Sequence, residues 1–86
     1  MIRKPVTIQL DNGLEARPIA LLVQEASQYA SQIYIEIKEK RINAKSIMGM
    51  MSLALAPGES VTVIADGSDE DEALVNMENY LAGAGA

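Results

Sequence analysis

The chain of 86 residues contains no cysteine, no histidine, no phenylalanine and no tryptophan. The lack of cysteine excludes disulfides, thiol nucleophiles and thiolate metal sites. The lack of histidine removes the commonest metal ligand and the usual acid or base at neutral pH. Aliphatic residues and methionine must therefore build the core, and hydrophobic residues make up 49% of the chain. We expect neither a metal nor another cofactor.

Long apolar runs are also missing, so no segment is predicted to span a bilayer. The first residues are not followed by the apolar stretch of a signal peptide, and we expect a cytoplasmic protein. The length predicts a single domain over residues 1–86. The net charge of −5 argues against nonspecific binding of nucleic acid, which requires a basic face. All seven Lys and Arg residues lie within residues 1–45, and those near Arg17 and Lys45 are candidates for a docking face.

Hydrophobic periodicity predicts four strands and three helices. Alternation indicates strands over 4–10, 32–37, 40–43 and around 61–65, and helical spacing indicates helices over about 16–27 and 47–53. A capping box over 68–71 predicts the start of a last helix, whose apolar stripe is Ala73, Leu74, Met77 and Leu81. The order β-α-β-β-α-β-α predicts an α+β fold, with a four-stranded antiparallel sheet and three helices on one face.

Two segments resemble functional segments of one family. Gly13-Leu14-Glu15-Ala16-Arg17-Pro18 resembles the active-site loop of HPr, the phosphocarrier of the bacterial sugar phosphotransferase system. Residues 43–53, Asn-Ala-Lys-Ser-Ile-Met-Gly-Met-Met-Ser-Leu, resemble the regulatory-serine region of the same family. The resemblance runs along nearly the whole chain and implies the HPr-like open-faced β-sandwich. It is strongest to the Crh-like branch, whose members regulate and do not carry phosphate to sugars.

Glu15 occupies the position at which a histidine carries the phosphoryl group in HPr. The resemblance therefore implies no catalytic residue, no carrier activity and no enzyme. The carboxylate is interpreted either as a tolerated charge at a helix start or as a weak imitation of phosphohistidine. A carrier that uses Glu15 as an acyl phosphate is the alternative function. Arg17 is kept, and the resemblance implies that its guanidinium binds a carboxylate or phosphate of a partner.

Ser46 is the candidate modification site. An unmodified serine here is the N-cap of a short helix, whereas the resemblance implies phosphorylation by HPr kinase/phosphorylase with ATP or pyrophosphate. The phosphate would lie at a preformed helix start, so we expect little refolding.

The helix after Ser46 is predicted to turn Met50 and Leu53 towards the sheet and Ile47, Met48 and Met51 outward. The resemblance implies that the outward side chains bind catabolite control protein A, a dimeric LacI-type repressor. The phosphoprotein would act as its corepressor in carbon catabolite repression, without contacting DNA itself. A paralogue that regulates a metabolic enzyme directly stays an alternative. We expect a monomer or a weak strand-exchanged dimer, because Asp11-Asn12-Gly13 follows the short first strand.

Overall fold

The computed structural model describes residues 1–9, 16–52 and 58–82, and the side chains of residues 16–18 lie outside that description. The elements are β1 (Ile2–Thr7), α1 (Ala16–Ala26), β2 (Gln32–Ile37), β3 (Lys40–Asn43), α2 (Ile47–Met51), β4 (Ser60–Asp66) and α3 (Glu70–Leu81). This order confirms the predicted α+β succession. The first strand begins earlier than the predicted 4–10 and ends at Thr7, and the short helix ends at Met51.

The strands form one antiparallel sheet in the order β1-β4-β2-β3. The central pairing places Ile35 of β2 opposite Val63 of β4, and β1 lies at one edge, with Val6 opposite Val61. A two-residue turn joins β2 to β3, and its first residue, Lys38, has a positive φ of 54°. The predicted hairpin of residues 32–43 is therefore confirmed.

The three helices cover one face of the sheet and enclose the core. Alternate strand residues point into it, including the fully buried Ile33, Ile35 and Val63. Each helix contributes a buried side chain to the same cluster, which contains Leu22, Met50 and Met77. All four residues of the predicted α3 stripe are buried, as expected for a helix with one apolar side. Within the described residues, no helix combines the length and the apolar character that crossing a membrane requires.

The opposite face of the sheet is polar and carries a charged network. Glu36 Oε2 lies 3.6 Å from Nη2 of both Arg3 and Arg41, and the Arg41 guanidinium lies 5.5 Å from the centre of the Tyr34 ring. Ile64 is fully buried, between Arg3 and Tyr34 in the strand register. Partly exposed ion pairs of this kind contribute little stability, so the helix-covered face provides most of the packing energy.

The predicted capping box over 68–71 is wrong. The N-cap of α3 is Asp69, and its side chain makes no capping hydrogen bond. Its carboxylate instead accepts hydrogen bonds from the backbone N–H groups of Ala30 and Ser31, each at 2.9 Å, and from Ser31 Oγ. These bonds hold the pKa of Asp69 below its ordinary value, with the Ser31 hydroxyl as the largest cause. The carboxylate therefore fastens α3 to the loop before β2.

Candidate functional site

Ser46 lies on the surface at the start of α2. Its backbone is extended, with φ −102° and ψ 110°, and its Oγ accepts a hydrogen bond from the backbone N–H of Gly49 at 3.2 Å. Its carbonyl accepts the N–H of Met50 at 2.9 Å, and its own N–H donates to the carbonyl of Asn43 at 3.0 Å. The predicted N-cap is therefore confirmed, and the hydroxyl occupies an exposed position.

Gly49 explains how the helix approaches its neighbours so closely. A Cβ at this position would lie 3.1 Å from Ile42 Cγ2 and 3.3 Å from Ser46 Oγ. Both distances are shorter than ordinary van der Waals contact, so a larger residue would press on β3 and on the capping hydroxyl at once. The lack of a side chain at Gly49 thus positions Ser46.

Lys45 is tied to the rest of the protein beside the serine. Its Nζ donates to the backbone carbonyl of Tyr29 at 2.7 Å, and its N–H donates to Asn43 Oδ1 at 2.8 Å. The Tyr29 hydroxyl donates to Glu25 Oε1 at 3.0 Å and accepts from Asn76 Nδ2. Burial raises the pKa of this hydroxyl above its ordinary value. These contacts fix the side chain of Lys45, the residue that precedes Ser46, and link it through Tyr29 to α1 and α3.

Sequence reasoning missed Tyr29 and Asn76. Asn76 lies 47 positions after Tyr29, and Lys45 lies 16 positions after it. Hydrogen bonds at such separations leave no local pattern, since the helical and strand periods relate only near neighbours. The one signal available was that a buried tyrosine usually has a hydrogen-bond partner for its hydroxyl, but local spacing does not show which of the three tyrosines is buried.

The exposed side of α2 is apolar. Ile47, Met48 and Met51 are 46%, 83% and 56% exposed, whereas Met50 is fully buried. We call these three exposed side chains the docking patch. The other large exposed hydrophobic residues in the described part of the chain are Met1 before β1, Leu21 on α1 and Val75 on α3. Three such side chains on a five-residue helix form a concentration that is typical of an interaction surface. The predicted orientation is confirmed for these residues, and Leu53 lies outside the described residues.

The two predicted residues at the start of α1 lie outside this geometry. Glu15 is not among the described residues, and neither is the side chain of Arg17, whose backbone belongs to the first turn of α1. The roles of Glu15 and Arg17 therefore stay predictions. The structure brings together Lys45, Ser46 and the docking patch.

Comparison with known proteins bears on the whole chain. A family model described as the HPr component phosphorylation site of the phosphotransferase system matches residues 2–83. The HPr-like protein Crh of Bacillus subtilis (strain 168) is 49% identical over 81 residues, which are 94% of this chain and 95% of the relative. The HPr-like protein Crh of Halalkalibacterium halodurans is 53% identical over 81 residues, 94% of this chain and 96% of the relative.

Solved structures show the same architecture. The phosphocarrier protein HPr from Bacillus anthracis str. Ames superposes with a TM-score of 0.89 at 49% identity, covering 93% of this chain and 95% of that one. A crystal structure of Bacillus subtilis Crh superposes with a TM-score of 0.78 at 48% identity, covering 96% and 95%. That Crh is described as a dimer with a swapped domain. These similarities confirm the family resemblance and the open-faced β-sandwich predicted from the sequence.

Proposed function

The chain belongs to the HPr family, and we propose that within it the protein regulates carbon catabolite repression and does not carry phosphate. HPr kinase/phosphorylase phosphorylates Ser46 in the cytoplasm, and the phosphoprotein acts as corepressor of the LacI-type catabolite control protein A. One observation carries the proposal. The Ser46 hydroxyl is exposed at the start of a helix whose solvent-facing side chains, the docking patch, are apolar.

Loss of the carrier function rests on the sequence. The chain contains no histidine at any position, so no phosphohistidine can form. Incubation with enzyme I of the phosphotransferase system and phosphoenolpyruvate tests the acyl-phosphate alternative. We expect no phosphoryl group on the protein, and a hydroxylamine-sensitive phosphate that disappears in Glu15→Gln would contradict the proposal.

Phosphorylation would change the charge of this surface with little change in its shape. Ser46 Oγ already faces the N–H of Gly49, and the helix is held through Met50 rather than through Ser46 alone. A phosphate at this position would be stabilised electrostatically by the N–H groups of the first helical turn and by the positive charge of the preceding residue, Lys45. The result is a dianion next to three apolar side chains.

The two parts of this surface would contribute differently to the complex with the repressor. Burial of one largely exposed methionine such as Met48 contributes roughly 1.5–3 kcal/mol. The thioether is flexible and adapts to the shape of a pocket. The phosphate and Arg17 would add charge-assisted hydrogen bonds, which are stronger than neutral ones. Binding would then favour the repressor state that holds operator DNA.

Intact mass after incubation with HPr kinase/phosphorylase and ATP tests the modification. We expect one added phosphoryl group on the wild type and none on Ser46→Ala. Because alanine also removes the N-cap, which costs about 1 kcal/mol, Ser46→Asn is the matched control, since its side chain retains a capping acceptor without a hydroxyl. Phosphorylation of Ser46→Asn would move the site elsewhere and refute the assignment.

Titration of the phosphoprotein with the repressor tests the docking patch. Met48→Ala is expected to weaken binding by about tenfold or more. Val75→Ala is the matched control, because Val75 is an apolar residue on α3 with 52% exposure and lies outside the patch. Equal affinities of the two variants would refute docking through α2. A pull-down whose partner is a metabolic enzyme, recovered equally by Ser46→Ala, would favour direct regulation instead.

We extend the proposal to a monomer in equilibrium with a weak strand-exchanged dimer, a state related to the swapped dimer described for Bacillus subtilis Crh. β1 is an edge strand held by its pairing with β4 and by the 2.9 Å ion pair between Lys4 and Glu78. A second chain could supply the same partners without loss of contacts. Sedimentation equilibrium should show a dimer fraction that grows with concentration. A dimer that persists on dilution would contradict this equilibrium.

A further inference from the structure

The docking patch contains two methionines whose sulfur atoms lie in a solvent-facing helix surface. We propose that Met48 and Met51 are sites of reversible oxidation to methionine sulfoxide by hydroperoxides, and that this modification blocks docking on α2. The second half of this inference rests on the proposed function, because it requires a partner that binds the patch.

The chain contains both exposed and buried methionines, so their reactivities can be compared within one protein. Met48 and Met51 are 83% and 56% exposed, while Met50 of the same helix and Met77 of α3 are fully buried. No cysteine is present, so no thiol competes for the oxidant and methionine supplies all the sulfur of the chain. Oxidation is selective for accessible sulfur, which makes these two residues the reactive ones of α2. The remaining exposed methionine, Met1, lies beside Asp66 and Glu70 through its terminal ammonium group.

The chemistry needs only the thioether and a hydroperoxide. A lone pair on the methionine sulfur attacks a peroxide oxygen, the O–O bond breaks and an S–O bond forms. The sulfur loses two electrons, and hydrogen peroxide is reduced to water after proton transfer to the departing oxygen. Methionine sulfoxide reductases reverse the change, so the modification can act as a switch.

The sulfoxide would act on binding and leave the fold unchanged. Its oxygen is a strong acceptor that stays solvated on the free protein, because these side chains are largely exposed. In a complex the oxygen loses water and meets a partner surface suited to an apolar thioether. An unpaired polar group buried in this way corresponds to roughly five- to 150-fold weaker binding. Met50 stays reduced and continues to hold α2 in place.

Peptide mass spectrometry after timed exposure to hydrogen peroxide tests the site. No Lys or Arg follows Lys45, so trypsin leaves the methionines of both helices on one long peptide. A glutamyl endopeptidase instead cuts after Glu39 and Glu59, and fragmentation of the released peptide separates Met48, Met50 and Met51. We expect Met48 to oxidise at least about tenfold faster than Met50. Equal rates for Met48 and Met50 in the folded protein would overturn the proposal.

Repressor affinity tests the consequence, with the protein phosphorylated on Ser46 before peroxide treatment. The double variant Met48→Leu/Met51→Leu keeps the apolar volume and cannot be oxidised at the patch. We expect treatment to weaken the wild type by at least about fivefold, to leave the variant unchanged, and to be reversed by methionine sulfoxide reductases. Loss of binding in the treated variant would assign the effect to another residue and overturn the proposal. Unchanged binding of the treated wild type would also overturn it. An untreated phosphoprotein that fails to bind refutes the proposed function itself, and with it the effect on docking.

Discussion

Replacement of Met50 by alanine should separate the stability of α2 from its binding surface. The helix has five residues, and an isolated helix of that length is unstable in water. Packing must therefore hold it, and Met50 is its one buried side chain, fully enclosed in the core cluster. Truncation of a buried methionine leaves a cavity and costs about 2–5 kcal/mol. Met50→Ala should therefore destabilise the whole protein.

The size of the effect follows from the length of the chain. Unfolding entropies near 2.1 cal/mol/K per residue give about 0.18 kcal/mol/K for 86 residues, so each kcal/mol lowers Tm by roughly 5–6 °C. Met50→Ala is then expected to lower Tm by roughly 10–30 °C. Met48→Ala, two positions away and largely exposed, should change stability by no more than about 0.5 kcal/mol, or roughly 3 °C.

Differential scanning calorimetry of the two variants and the wild type measures this difference directly. Repressor affinity is the second measurement and is titrated at a temperature where each variant is folded. We expect Met48→Ala to bind the repressor more weakly than Met50→Ala. Equal melting temperatures for Met50→Ala and Met48→Ala would refute the reasoning that core packing of Met50 holds the helix. A Met48→Ala protein that melts far below the wild type would refute the exposed placement of its side chain.

Three further predictions concern the contacts of Gly67 and Asp69 with the loop before β2, and the charged network around Glu36 on the polar face of the sheet. Gly67→Ala should destabilise by at least about 2 kcal/mol in urea unfolding, since its Cβ would lie 2.5 Å from the Cα of Ser31, and a change below 0.5 kcal/mol would contradict this contact. The native pKa of Asp69 lies below the unfolded value near 3.9, so its contribution is complete above that pH and is lost as the pH falls through the native pKa. The stability difference between wild type and Asp69→Asn should accordingly narrow below about pH 4, and a constant gap would contradict the linkage. Glu36→Gln should cost less than about 1 kcal/mol despite its two arginine partners, because the network is partly exposed, and a larger loss in the same urea assay would contradict this.

Predictions succeeded where the deciding contacts are local. Ile33 and Ile35 face the core because side chains alternate along a strand. Ser46 caps α2 because its acceptor and the N–H of Gly49 lie three residues apart. The ends of the strands were predicted less accurately. β1 runs from Ile2 to Thr7 because β4 supplies pairing partners there, whereas the alternation of the sequence had predicted 4–10.

The prediction at the start of α3 failed for a related reason. The sequence there fits a local capping box, yet the carboxylate of Asp69 binds residues 38 and 39 positions away. The hydrogen bond between Lys45 and the carbonyl of Tyr29 could not be predicted from the sequence either. Any lysine could donate such a bond, and only the packing of the α1–β2 loop determines where that carbonyl lies. Competing local and distant partners of one polar group cannot be ranked from local spacing.

The amino-acid sequence by itself determined the order of elements, the family, the absence of histidine and the outward side of α2. Those features depend on residue identity and on periods of two or 3.6 residues, which local chemistry sets. The tertiary structure decided that the carboxylate of Asp69 binds the loop before β2. It also decided how Lys45 is fastened beside Ser46. These features depend on the distance between segments far apart in the chain, and that distance exists only once the sheet has brought them together.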